Sequence, residues 1–244
     1  MQAPVLILGA SGTLGGAIAQ RLFADGRRVI LHGNRGREKL QDLAAACGNA
    51  GIFTADLTAE NNVAVMFENI ARTHEGLGGL VFAVACPFPH KLTHRTPWSV
   101  FQEQMDSQLK AAHLSLTAAL PLLKAGGSAR VLVLSTEYAI GMPPIKIAPY
   151  VAAKTALTAY AKVIAQEWIA YNLRVHILAP GMVISNLTAD LPNAYLEQVA
   201  EAMPEKRLTS SSDVADVASV LMTPAADSLY GTVIPVTRAE RRSL

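Results

Sequence analysis

The sequence predicts an α/β fold, a doubly wound parallel sheet of seven strands with helices on both faces. Three observations carry that expectation. Short runs of Val, Ile and Leu alternate with helix-period segments along most of the chain, and continuous apolar strands separated by helices imply a parallel sheet buried on both sides. The first apolar run, Pro4-Val5-Leu6-Ile7-Leu8, leads directly into the glycine turn Gly9-Ala10-Ser11-Gly12-Thr13-Leu14-Gly15 and then into a helix. Of the 244 residues, 51% are hydrophobic and 16% charged, which supplies a sizeable core and argues against disorder.

The elements follow in order. Strand Val5–Leu8 gives way at the glycines to helix Gly12–Ala24. Strand Arg28–His32 is followed by helix Arg37–Ala46, and strand Gly51–Thr54 by helix Ala59–Thr73. Strand Leu80–Val84 precedes a long helix, Ser99–Leu123. Strand Arg130–Leu134 precedes a second long helix, Pro149–Ala170. Strand Arg174–Leu178, helices Asn193–Glu201 and Ser212–Leu221, and strand Thr232–Val236 complete the series. Right-handed crossovers between parallel strands then wind the sheet in both directions. No repeat, low-complexity stretch or linker divides the chain, so residues 1–237 are expected to form one domain. The basic segment 238–244, with Arg238-Ala239-Glu240-Arg241-Arg242, is expected to be a solvated end.

Composition narrows the function classes. A net charge of +2 is too small a bias to argue for nucleic acid. No apolar run reaches the roughly 18 residues of a membrane helix, and Met1-Gln2-Ala3 lacks the basic start of a secretory signal. The two cysteines, Cys47 and Cys86, are far apart and fit free thiols in a reducing compartment. A soluble, cytoplasmic protein is expected.

A helix N-terminus carries partial positive charge and unpaired N–H groups, and glycine lets a pyrophosphate approach the backbone. The turn Gly9–Gly15 therefore points to a dinucleotide. In a doubly wound sheet, ligands bind beyond the C-terminal strand ends. Polar or glycine-rich turns fall there: Gly9–Gly15, Asn34-Arg35, Asp56, Ala85-Cys86, Ser135-Thr136 and Pro180-Gly181. The second strand ends in Leu31-His32-Gly33-Asn34-Arg35-Gly36-Arg37, without the acid that an NAD site places on the ribose. Arg35 and Arg37 fit a 2′-phosphate instead, which indicates NADP(H); the competing reading has both arginines facing solvent at a helix start. Asp56 either accepts from an adenine amine or caps the helix beginning at Thr58.

The chemistry points to Tyr150 and Lys154, four residues apart and thus on one helix face. A phenol is a weak acid near pH 10, and a neighbouring ammonium favours its phenolate, so Lys154 is expected to lower the Tyr150 pKa. The pair follows the fifth strand, whose end carries Ser135-Thr136. A hydroxyl there can orient a carbonyl oxygen while Tyr150 exchanges a proton with it.

These residues, with Asp56-Leu57 and Arg174-Val175-His176-Ile177-Leu178-Ala179-Pro180-Gly181, resemble the short-chain dehydrogenase/reductase family over nearly the whole chain. The layout is nearest to 3-oxoacyl-carrier-protein reductases, and His32-Gly33-Asn34-Arg35-Gly36 is similar to NADP-dependent, pteridine-reductase-like members. The resemblance implies a Rossmann-type domain. It implies cofactor contacts at Gly9, Ser11, Gly12, Thr13, Leu14, Gly15, Asn34, Arg35, Asp56, Leu57, Ala83, Tyr150, Lys154, Pro180, Gly181 and Val183. It implies catalytic roles for Tyr150, Lys154, Thr136 or the adjacent Ser135, and Gln108 at the place of an Asn that supports a proton-relay water. The implied activity is NADPH-dependent reduction of a ketone, such as a 3-oxoacyl thioester, free or on a carrier protein. The alternative is a catalytically silent NADP-binding or partner-binding subunit. A dimer or tetramer through the two long helices is also implied.

The chain departs from the family pattern at Thr13, at Phe82-Ala83-Val84-Ala85 where Asn-Asn-Ala-Gly is usual, at Gln108, and at Pro235-Val236-Thr237-Arg238 where Asp-Gly-Gly is usual. His90, His94 and His113 have no metal-ligand spacing and are expected on surfaces. Cys86 is either a reactive thiol near the nicotinamide or a small buried hydrophobe. Trp98 and Phe101 are expected to pack the start of the long helix. In the family the segment Met182–Pro204 closes over substrate, and its Leu, Met and Ala content suggests an apolar or acyl one.

Overall fold

The structure, a computed structural model, describes residues 3–239. Residues 240–244 of the expected tail lie outside the described residues. The seven strands are β1 (Val5–Leu8), β2 (Val29–His32), β3 (Gly51–Phe53), β4 (Gly79–Phe82), β5 (Arg130–Leu134), β6 (Arg174–Pro180) and β7 (Val233–Val236). They form one sheet in the order β3-β2-β1-β4-β5-β6-β7. Every adjacent pair is parallel. The chain winds outward from β1 to β3, then returns to β4 on the other side of β1, so the winding reverses between β1 and β4. That is where such sheets open a crevice for ligand.

Alternation along the strands divides the core. Leu6 and Leu8 of β1 join one cluster with Val63, Ile70, Leu116 and Leu157. Val5 and Ile7 join the other with Ile18, Leu40, Val214 and Ala218. The first face is covered by α3 (Glu60–Thr73), α5 (Ala111–Ala125) and α6 (Ala148–Trp168). The second is covered by α1 (Thr13–Ala24), α2 (Arg37–Ala46) and α8 (Ser211–Leu221). The period-2 side-chain pattern of a strand thus supplies both layers at once.

Several element ends shift by one or two residues from the sequence expectation, β4 to Gly79–Phe82 and α6 to Ala148–Trp168 among them, and two differences have a visible cause. The long helix expected over Ser99–Leu123 is α4 (Trp98–Met105), one π turn over Asp106–Lys110, and α5. Its two halves meet different neighbours: α4 packs on α6, while α5 packs on α3. A uniform 3.6-residue period cannot report such a change of face. The other difference is β6, which runs on to Pro180 because Pro180 still pairs with Val236. Trp98 and Phe101 stack on each other with centroids 5.6 Å apart, but Trp98 is 69% exposed and does not enter the core. No helix among the described residues is long and apolar enough to cross a membrane.

The start of the expected tail is held rather than frayed. Arg238 donates to Glu205 and, at 2.9 Å, to Asp213, which also receives Arg207 at 2.8 Å. Asp213 closes a capping box with Ser210 at the start of α8, so a basic residue beyond the last strand is spent on the body of the fold.

The contact between β1 and α1 is made of backbone. A Cβ on Gly15 would stand 2.3 Å from the Gly9 carbonyl oxygen. Gly15→Ala should therefore lower stability by ~1–3 kcal/mol through overpacking. Urea unfolding should show a lower midpoint with an unchanged slope.

Candidate active site

The site begins where β1 ends. Gly9 has φ +85°, a left-handed conformation that favours glycine, and a Cβ there would meet the Ala83 carbonyl oxygen at 2.8 Å. Ala83, expected among the cofactor contacts, is thus pressed against the turn from β4. Gly12 precedes α1 and no side chain caps that helix among the described residues, so its first N–H groups face outward, as anion binding requires. Thr13, the departure from the family turn, is the exposed first residue of α1. Ser11 lies under the second strand end: a Cβ on Gly33 would come within 2.8 Å of its Oγ.

His32, at the end of β2, braces this turn. The Gly9 N–H donates to Nδ1 at 3.4 Å, and Nε2 pairs with the Ala55 carbonyl at 3.1 Å. That geometry puts the ring proton on Nε2 and keeps the imidazole neutral. Burial pushes its pKa down to about 4. Beyond it, Asn34, Arg35 and Arg37 are exposed at the rim. Asp56 holds the N–H and hydroxyl of Thr58 at 2.9 and 2.7 Å. These bonds hold its carboxyl below the usual range, with Arg35 and Lys110 adding to the effect. It builds a local turn and does not cap α3, whose N-cap is Ala59. Leu57 is 4% exposed and belongs to the core, so only its backbone is available to a ligand.

On the other side of the crevice, Tyr150 and Lys154 project from α6. Thr136 lies near enough to the Tyr150 phenol to favour its phenolate, and its hydroxyl receives the Tyr138 N–H at 3.4 Å. Ser135 turns away, its Oγ 2.5 Å from that of Thr158. Of the two expected hydroxyls, Thr136 is the one at the phenol. Phe88 stacks on the Tyr150 ring with centroids 5.1 Å apart and planes at 15°, and His90 lies against Phe88.

The expected lowering of the Tyr150 pKa is reversed. Burial pushes the phenol up to about 12, against the opposing influence of Thr136. Lys154 is 3% exposed and donates to the Leu134 carbonyl at 2.7 Å. Burial brings its own pKa down to about 7. Helical spacing puts the two side chains on one face, but desolvation and a backbone acceptor decide their charge states.

Gln108 sits on the π turn, fully buried, and donates to Gln104 Oε1 at 2.9 Å. Its own Oε1 has no partner among the described residues. Gln104 Nε2 donates in turn to Cys86 Sγ at 2.8 Å. Cys86 is half-buried, bonds Ser107 at 3.0 Å, and burial pushes its thiol pKa up. It is a packed, hydrogen-bonded thiol.

A cavity of about 610 Å³ opens on the Tyr150 side of the crevice. Leu14, Thr136, Tyr150, Pro180, Gly181 and Val183 all line it, as does Ser135. Lys154 and Gln108 do not line it. Ser11, Gly12 and Thr13 line a separate cavity on the outer side of the glycine turn. Among the described residues no group of three or more His, Cys, Asp or Glu could hold a metal ion. Three contributors escape sequence reasoning. His32 had a weak signal, a polar residue closing an apolar strand. Phe88 and Gln104 had none, because their partners are distant in sequence.

Neutral, buried His32 makes acid stability measurable. The unfolded chain takes up a proton near pH 6.5 and the folded ring only near pH 4, so stability falls as pH drops through that window. The unfolding free energy from urea titration should be lower at about pH 5 than at about pH 7, by on the order of 1–3 kcal/mol. His32→Asn should flatten part of the drop. Buried His176, with its pKa also near 4, should retain the rest.

Residues 9–238 match the family described as enoyl-(acyl carrier protein) reductase. Nodulation protein G of Rhizobium meliloti (strain 1021) is 29% identical over 234 residues, covering 95% of this chain and 94% of that one. Dehydrogenase/reductase SDR family member 4 of Oryctolagus cuniculus is 27% identical over 238 residues, covering 95% and 90%. Among solved structures, the Pseudomonas aeruginosa RhlG/NADP active-site complex superposes with a TM-score of 0.89 at 25% identity, covering 97% of this chain and 95% of that one. A putative gluconate dehydrogenase from Agrobacterium tumefaciens gives the same TM-score, 0.89, at 21% identity over 97% and 94%, a likeness of fold. Sheet order, glycine turn and these likenesses agree: the chain belongs to the short-chain dehydrogenase/reductase family of oxidoreductases.

Proposed function

We propose that the protein is an NADPH-dependent carbonyl reductase acting on an apolar ketone, with a 3-oxoacyl thioester as the preferred class. The observation that carries this is that Thr136 and Tyr150 line one cavity together with Leu14, Pro180 and Gly181. The residues fit a nicotinamide dinucleotide. Gly9 and Gly15 bring the ends of β1, β4 and α1 into backbone contact, and the α1 N-terminus, which no side chain caps, is open to a pyrophosphate. Exposed Arg35 beside Asp56 suits a 2′-phosphate, and the NADP complex of the Pseudomonas aeruginosa relative supports the same choice.

When bound, NADPH supplies a hydride to the carbonyl carbon. The protein handles the proton and the oxygen. Tyr150 gives its phenolic proton to the carbonyl oxygen as the alkoxide develops. Thr136 hydrogen-bonds the same oxygen and steadies the phenol. The phenol is protonated at neutral pH, as donation to a carbonyl oxygen requires. Lys154 holds the nicotinamide ribose and refills the phenol, with Gln108 Oε1 offering an acceptor to a relay water. The family description supports an acyl substrate, including a carrier-bound one. A cytoplasmic homo-oligomer is the expected setting.

A second reading, a catalytically silent NADP-binding subunit, is favoured by one observation: the Gln108 amide donates to Gln104 and not toward Tyr150 or Lys154. Tyr150→Phe separates the two. Under the reductase reading it keeps NADPH affinity, followed by cofactor fluorescence, and loses about 10²–10⁴-fold in ketone-dependent NADPH oxidation. Wild-type protein that binds NADPH but oxidises none across acyl thioesters, quinones, pterins and simple ketones supports the silent subunit. Arg35→Ala should weaken NADPH by about tenfold or more, the loss of a charge-assisted bond, and NADH little. Equal losses would remove the 2′-phosphate assignment.

A further inference from the structure

The Thr136–Tyr150 cavity does not end at the chemistry. Tyr138, Pro144, Met182 and Tyr195 line it and also line a second cavity of about 650 Å³. Each cavity alone is within the usual size of a small-molecule site, so a small ketone occupies the first and leaves the second empty.

The second cavity is roofed by α7 (Asn193–Ala202), where Tyr195, Gln198, Val199 and Ala202 face it at one-sided helical spacing, three of the four apolar or aromatic. No residue of α7 is buried. A helix this short draws its stability from packing an apolar face, and this face has only the cavity beneath it. The segment leaving α7 is anchored: Glu205 takes Arg238, and Arg207 pairs with Asp213 at 2.8 Å. The roof is held at its exit and open along its length. Lys206, on the same wall, is spent on Glu201, whose carbonyl it meets at 2.5 Å.

We infer that the second cavity is a binding compartment for the distal, flexible apolar chain of an extended acyl substrate, with Met182 and Tyr195 at the passage between the two compartments. The inference rests on the reading of the first cavity as the carbonyl site. A linear chain is the shape that passes a shared wall of four side chains and fills both spaces. It would give α7 the apolar contact that the helix lacks.

The test is calorimetric and independent of turnover. Saturated N-acetylcysteamine thioesters of butyric and dodecanoic acid are titrated into wild-type protein and into Val199→Trp, which fills the compartment from α7. Ala202→Trp, from the other end of the same face, serves if the first variant misfolds. The dodecanoyl ester should bind wild type about tenfold or more tighter than the butyryl ester. The variant should lose that advantage and bind the butyryl ester as before. Equal affinities in wild type, or an advantage that survives the tryptophan, would overturn the compartment. NADPH oxidation with 3-oxobutyryl-N-acetylcysteamine is measured alongside. Its absence overturns the reductase reading, whatever the affinities show.

Discussion

The Gly9 carbonyl is in contact with the α1 backbone, and the geometry of the crevice descends from that approach. Gly15 must lack a side chain for α1 to begin so close to β1, and Gly9 must adopt a left-handed φ to turn the chain between them. Ala83 of the neighbouring strand closes on the same turn from the other side. Once α1 is fixed there, α8 packs along it and the sheet's reversal point lies open beside Leu14. His32 completes the brace by joining Gly9 to Ala55 beyond β3. Three strand ends are thus locked around one turn by backbone contacts and one neutral ring.

The opposite wall is governed by desolvation. Tyr150 sits under Phe88, and Lys154 is enclosed behind it with a carbonyl as its hydrogen-bond acceptor. In that setting the charged forms of both groups are disfavoured, and their pKa values, nearly equal for the free side chains, are driven apart, the phenol to about 12 and the ammonium to about 7. A proton therefore passes readily from the Lys154 ammonium to a Tyr150 phenolate, and the reverse transfer is the costly one. The amide chain through Gln108 and Gln104 to Cys86 lies on the same buried side and gives that region fixed dipoles in place of solvent.

Much of the architecture was legible because it is periodic. β5 over Arg130–Leu134 and α2 over Arg37–Ala46 have the bounds that apolar runs and turn residues predict. The glycine turn was legible because few residues other than glycine fit its backbone. Tyr150 and Thr136 were legible as spacing on one helix and at one strand end. What escaped depends on contacts across the fold. The π turn is a change of partner within a helix, Phe88 matters only through a ring 62 positions away in sequence (150 − 88), and Lys154 lost its expected effect on Tyr150 to a carbonyl of β5. Arg238 looked like part of a loose basic end because its acidic partners, Glu205 and Asp213, belong to another segment.

The π turn at Asp106–Lys110 has a mechanical consequence. One extra residue in a turn rotates everything downstream by about 100° relative to an uninterrupted helix. Upstream, α4 is keyed to α6; downstream, α5 is keyed to α3 and the sheet. The two halves are joined by a swivel, and Gln108 sits on it. A displacement of α4 can be absorbed at this joint without shearing α5 across the strands beneath. The helix that carries Gln104 and the face packed over the sheet are in this way set at different angles, and the two buried amides lie where the helix changes partner.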